Sequence, residues 1–167
     1  MKRITLKWLL ENGACLPSIR KFKEIFGEKA RVSPKRILSA LKNINNEEWE
    51  AWLLAQNIEL TKELLDNGAN INAYDSYALG FAAESGDSGL VEFLLVNGAD
   101  VNADGGWPLY IAVNKKHKDV VEILLKKRAD INVSNYRADN ETLLNDAIAH
   151  GNQEIVELLK KYMDKDN

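Results

Sequence analysis

The sequence has one cysteine, Cys15, so no internal disulfide can form, and a reducing compartment is the expected setting. Cys15 lies beside an expected helix end among apolar residues and reads as a small buried side chain. The only histidines are His117 and His150, and with one thiol beside them no metal-ligand spacing exists. Three prolines and ten glycines leave no composition for a long disordered linker. No apolar run is long enough to cross a bilayer. Residues 1–10 begin basic and turn apolar, but Lys7 and Glu11 interrupt them before a signal-peptide core develops. The expectation is a soluble, cytoplasmic chain with no membrane partner.

Chemistry is scarce as well. Gly105 and Gly106 form a turn before a helix and lack the spacing of either nucleotide-binding motif. No nucleophile–base pair and no acid–base couple of carboxylates stands out. A non-enzyme is therefore expected, with no cofactor, no metal and no small-molecule substrate.

One scarcity is regional. Residues 43–114 hold a single base, Lys62, against twelve acids, a charge of −11. Residues 1–42 hold eleven Lys/Arg against three acids, a charge of +8, and residues 115–167 are balanced. Such fields steer partners without dictating a fold.

What is present is a repeat. Leu65-Asp-Asn-Gly-Ala-Asn-Ile-Asn-Ala73, Leu95-Val-Asn-Gly-Ala-Asp-Val-Asn-Ala103 and Leu125-Lys-Lys-Arg-Ala-Asp-Ile-Asn-Val133 follow one another at 30 residues. A second motif runs in phase: Trp49, Trp52 and Leu53, then Leu79, Ala82 and Ala83, then Leu109, Ala112 and Val113, then Leu144, Ala147 and Ile148. Its last spacing is 35, which places a longer loop around residues 134–140. Each unit parses as two short helices, the second with apolar residues at helical spacing, such as Leu90, Val91, Leu94 and Leu95. Gly68 and Gly98 suit a left-handed helix end. Neither helix buries its apolar face alone, so the units must stack into one core.

These motifs resemble the ankyrin repeat. The resemblance lies in Asn97-Gly-Ala-Asp-Val-Asn-Ala103 with Trp107-Pro-Leu-Tyr-Ile-Ala-Val113, in His117-Lys-Asp-Val-Val-Glu-Ile-Leu-Leu125, and in Gly151-Asn-Gln-Glu-Ile-Val-Glu-Leu-Leu159. It covers residues 46–163 and implies an all-α solenoid of about four helix pairs, in units near 46–75, 76–105, 106–139 and 140–163. The family period is about 33 residues, so two spacings of 30 imply shortened inter-repeat fingers. Arg128 stands where the cap glycine belongs and Lys116 where the inter-helix glycine belongs. Trp52 and Leu53 stand where the family has small residues, so the first junction cannot be an ordinary stack.

Residues 1–44 fall outside the period and are expected to form a basic helical cap on residues 45–167. Residues 18–26 read as one helix, and Ser33-Pro34 starts another with Ile37, Leu38 and Leu41 on its apolar face. Trp8, Phe22, Phe26 and Trp49 belong to a run similar to a segment of bacterial and phage proteins.

The resemblance implies partner contacts at the loop tips and the exposed face of the first helices. By position these are Tyr74, Asp75, Ser76, Tyr77, Glu84 and Ser85 in the second unit, and Asp104, Trp107, Asn114 and Lys115 in the third. In the fourth they are Asn140, Glu141, Ala149 and His150. Tyr77 and Trp107 serve either as anchors or as packing over the next loop. His117 falls at a structural position between helices. The expected function is occupancy of a partner protein with a basic surface, by blocking, recruiting or scaffolding. Two rival readings remain: an inhibitor that mimics nucleic acid through its carboxylates, and direct nucleic-acid binding through the basic residues 1–42.

Overall fold

The computed structural model describes residues 4–5, 26, 31–44, 47–133 and 142–164. The expected helix over 18–26, Cys15, and the loop around 134–140 lie outside these residues, apart from Phe26. Among the described residues the N-terminal part is not purely helical. Strands β1 (Ile4–Thr5) and β2 (Arg31–Val32) pair antiparallel, with Ile4 opposite Val32, and both of those side chains are buried.

Helix α1 (Pro34–Ile44) begins where Ser33-Pro34 predicts. Pro34 fixes φ for the first turn, and the Ser33 carbonyl accepts the N–H groups of Arg36 and Ile37 at 3.0 and 3.1 Å. Ile37 and Leu38 are buried, and α1 packs against α2 (Glu47–Leu54) and α3 (Ile58–Asp66).

Three further pairs follow: α4 (Ala73–Ser85) with α5 (Ser88–Val96), α6 (Ala103–Asn114) with α7 (Lys118–Lys126), and α8 (Leu143–Ala149) with α9 (Gln153–Met163). First helices stack in the order α2, α4, α6, α8, and second helices in the order α3, α5, α7, α9. The small residues of the repeat explain the closeness of the first row. Ala78, Ala82, Ala83 and Ala112 are fully buried between neighbouring backbones, and Leu79 and Leu109 fill the space beneath. One apolar cluster runs from Ile4 to Leu159, as stacked units require.

Three of the second helices, α3, α5 and α9, are started by side chains, and α7 begins at His117 without such a bond. Asn57, Asp87 and Asn152 accept the N–H of Leu60, Leu90 and Ile155 at 3.0, 2.9 and 3.3 Å, each supplying one partner to the orphan donors of a helix start.

The Asn/Asp-x-Asn part of the repeat ties one loop to the next. Asp100 and Asp130 accept the N–H of Asn102 and Asn132 at 2.9 and 2.8 Å, which fixes each turn. Asn72 and Asn102 then accept the N–H of Asp100 and Asp130, one unit ahead, at 3.1 and 2.8 Å. Glu50 begins this ladder. Its buried carboxylate accepts the Asn70 N–H at 2.5 Å.

The shortened fingers have a specific geometry. Tyr74, Asp75 and Ser76 have φ of 50°, 53° and 56°, and Asp104, Gly105 and Gly106 have 45°, 62° and 91°. Three left-handed residues in succession thus turn each loop into its first helix, and right-handed helix resumes at Tyr77 and Trp107.

Left-handed backbone also marks the two places where glycine is missing. Lys116 and Arg128 have φ of 63° and 64°, against 75° at Gly86 and 82° at Gly68. A side chain in this region costs roughly 1–2 kcal/mol, part of which glycine returns as unfolded-chain entropy. Lys116→Gly and Arg128→Gly are each expected to stabilise the chain by about 1 kcal/mol. Urea titration checks this, and a destabilised variant would mean that these side chains make contacts outweighing the strain.

Candidate protein-binding face

The shortened loop and the first helix behind it bring four aromatic rings together. Tyr77 and Phe81 are one helical turn apart on α4, and Trp107 on α6 lies one period after Tyr77. The Tyr77 ring is 4.6 Å from Tyr74, 5.8 Å from Phe81 and 4.8 Å from Trp107, centroid to centroid, and Phe81 meets Trp107 edge-on at 5.7 Å. Offset and edge-on contacts at these distances are the favourable ones. Tyr74 is 45% exposed, and Tyr77, Phe81 and Trp107 are half-buried, so the cluster is a surface ridge rather than core.

Gly80 makes the ridge possible. A Cβ there would lie 2.0 Å from Cε3 and Cζ3 of Trp107, so the indole rests directly on the α4 backbone. Gly80→Ala is expected to displace Trp107. Alanine gains about 1 kcal/mol of helix propensity while the indole contact is lost. The melting temperature should therefore change little, while the Trp107 indole N–H resonance moves. An unmoved resonance would refute the close approach.

Carboxylates border the rings. The Asp104 carboxylate lies beside the Tyr77 phenol, and Asp75 Oδ2 accepts the Asp104 N–H at 3.0 Å. Burial first, and then the neighbouring Asp104 carboxylate, raise the Tyr77 phenol above its ordinary pKa. A raised folded-state value means that the folded chain holds this proton more tightly. The contribution is complete below pH 10 and lost as the pH rises through the folded value. Tyr77→Phe should flatten that alkaline loss in a pH series of thermal melts.

At the other end of the same helices, Lys115 pairs with Glu84 at 3.1 Å across α4 and α6. Both side chains are about half exposed, so the pair contributes at most about 1 kcal/mol. His117 Nε2 lies 3.0 Å from the Glu84 carbonyl, the structural role expected between helices. Asn114 Nδ2 donates to the Tyr110 carbonyl at 3.2 Å, and Ser85 Oγ to the Ala82 carbonyl at 2.9 Å.

The expected face thus divides in three. Tyr74, Asp75, Tyr77, Asp104 and Trp107 form one patch. Glu84, Ser85, Asn114 and Lys115 lie at the C-terminal ends of α4 and α6. His150 stands apart at the end of α8, exposed beside Ala149, with Nδ1 2.7 Å from the Asp146 carbonyl. Ser76 is a correction: it is buried, with Oγ bonded to Asn72 Oδ1 and accepting the Asp100 N–H at 3.2 Å. Its left-handed backbone turns the side chain into the loop ladder instead of outward. Asn140 and Glu141 lie outside the described residues. Phe81, which meets both Tyr77 and Trp107, is missing from the expected set, although its place four residues after Tyr77 is the signal that finds it.

Among the described residues, no group of three His, Cys, Asp or Glu is arranged to hold a metal, and no helix is long and apolar enough to cross a membrane. Two overlapping segments, residues 49–135 and 79–167, match the family described as ankyrin repeats in three copies.

The chain belongs to the ankyrin-repeat family. No curated protein matches it. Ankyrin repeats are protein–protein interaction modules, generally non-catalytic, and imply protein partners. Within its repeats, residues 74–76 and 104–106 are runs of left-handed backbone. They turn the short loops straight into the first helices, and the Tyr74 ring lies tilted by 60° against Tyr77.

Proposed function

We propose that this ankyrin module acts by occupancy, holding a partner protein through the acidic first-helix and loop face and thereby blocking, recruiting or scaffolding it. Residues 45–167 are the binding array and residues 1–44 its cap. The observation that carries the reading is the surface ridge of exposed Tyr74 and half-buried Tyr77, Phe81 and Trp107, bordered by Asp75 and Asp104. Large, rigid aromatics dominate interface energetics, because they bury much area for little lost freedom. The excess of acids over residues 43–114 favours a partner with a basic surface. A mimic of nucleic acid would present carboxylates as its main contact, whereas here the centre of the face is aromatic and the acids form its border.

The test is capture of a partner by the full chain and by a variant carrying Tyr77→Ala, Trp107→Ala and Glu84→Lys, with circular dichroism to verify folding. Capture should fall at least tenfold, in line with the loss of two anchors at roughly 1–2 kcal/mol each. Undiminished capture by the folded triple variant would refute this face.

A further inference from the structure

The junction between the first two helix pairs leaves a cleft, and the next junction places a lysine and a histidine at the corresponding positions. Trp52 and Gln56, from α2 and the turn after it, line a cleft of about 520 Å³ with Phe81, Ser85, Gly86 and Asp87, from α4 and the turn after it. One period on, Lys115 and His117 stand where Ser85 and Asp87 do. There Lys115 pairs with Glu84, and His117 bonds the Glu84 carbonyl with its ring against Gly86. The chain supplies its own cation between α4 and α6. Among the described residues, the lining of the cleft between α2 and α4 contains no Lys, Arg or His.

The cleft's chemistry suits a cation of a particular shape. Helices α2 and α4 end beside it, at Leu54 and Ser85, with partial negative charge, while α3 and α5 begin just beyond at the caps Asn57 and Asp87 with partial positive charge, so the helix ends largely offset one another. Asp87 adds a full charge, and its Oδ1 is already fixed by the Leu90 N–H at 2.9 Å. Gln56 Nε2 donates to the Trp52 carbonyl at 2.9 Å, which leaves its Oε1 as an acceptor. Trp52 and Phe81 contribute aromatic rings to the wall. A guanidinium is planar, stacks on aromatic faces and donates in a fork, whereas an ammonium is compact and strongly hydrated.

We propose that this cleft receives an arginine side chain of the partner protein, stacked against Trp52 and Phe81 and paired with Asp87. The assignment rests on the protein-binding reading above and adds the residue that is recognised.

The experiment is a heteronuclear NMR titration of the full chain with three capped tripeptides, Gly-Arg-Gly, Gly-Lys-Gly and Gly-citrulline-Gly. The arginine peptide should shift the Trp52 indole N–H and the Gln56 side-chain amide saturably. The neutral citrulline peptide should bind about tenfold more weakly or less, as expected when a charge-assisted pair is lost. Asp87→Asn keeps a capping oxygen for α5, so the fold is retained, and arginine affinity should fall about tenfold. Ser85→Lys, which repeats the arrangement at Lys115, should abolish the shifts. Shifts that are absent, equal with citrulline or lysine, or unchanged in Asp87→Asn would overturn the proposal. If partner capture is lost in the triple variant while the arginine peptide fails to bind, the cleft assignment alone is overturned. If the peptide binds the cleft while capture survives the triple variant, the cleft is supported and the aromatic ridge is refuted.

Discussion

Leu94→Ala is expected to lower the stability of the chain by about 3 kcal/mol, within the roughly 2–5 kcal/mol range for buried leucines. Leu94 lies in α5, is fully buried, and belongs to a middle pair of the stack. Losing its side chain removes apolar burial and leaves a cavity that rigid neighbours cannot fully close. For a chain of this size, about 3 kcal/mol corresponds to a melting shift of roughly 6–12 °C. The position adds a second consequence. Stability in a solenoid is a sum of unit and neighbour terms, so weakening a middle pair uncouples the ends. The urea transition should broaden as well as move. Val96→Ala, two residues away and 69% exposed, is the control and should change stability by less than about 0.5 kcal/mol. A midpoint unmoved in Leu94→Ala would refute the stacked core.

Gly106→Ala should cost about 2–4 kcal/mol, for two separable reasons. Gly106 has φ of 91°, where a side chain costs roughly 1–2 kcal/mol. Its position is also closed: a Cβ would lie 2.2 Å from Val133 Cγ1. Overpacking of this kind adds roughly 1–3 kcal/mol. Gly98→Ala isolates the first cause, because Gly98 has φ of 95° and a Cβ there meets nothing within 4 Å. The two variants should therefore differ by about 1–3 kcal/mol in parallel urea titrations. Equal losses would mean that Val133 does not press on the α6 turn.

Much of this fold was legible because its information is local and repeated. Gly68 and Gly98 announce left-handed helix ends, and both adopt them. Ser33-Pro34 announces a helix start and provides one. The alanines at 82, 83 and 112 announce close-packed first helices, and they are buried there. Each signal needs only the chain's own stereochemistry, and its recurrence at 30 residues removes ambiguity.

The candidate face was legible only in part. Tyr77 and Trp107 could be named from their phase, but the sequence could not choose between anchoring and packing over a loop. That choice depends on Gly80, which lets the indole approach the α4 backbone closely. Ser76 was misplaced because three successive left-handed residues reverse the direction of a side chain, and nothing in Tyr74-Asp75-Ser76 advertises that backbone. Glu50 reads as one more surface acid, and its burial against the Asn70 N–H is visible only once α2 lies beside the loop.

The sequence by itself therefore determined the repeat, its helix pairs, their caps and the stacked all-α architecture. These follow from apolar spacing and from residues with restricted or permissive backbones. Only the tertiary structure decided which side chains share a surface: the ridge of Tyr74, Tyr77, Phe81 and Trp107, and the cleft between Trp52 and Asp87. The physical reason is that such sites form across units. They depend on the offset between neighbouring first helices, on the turn that launches each one, and on whether a residue such as Lys115 or Ser85 reaches into the gap.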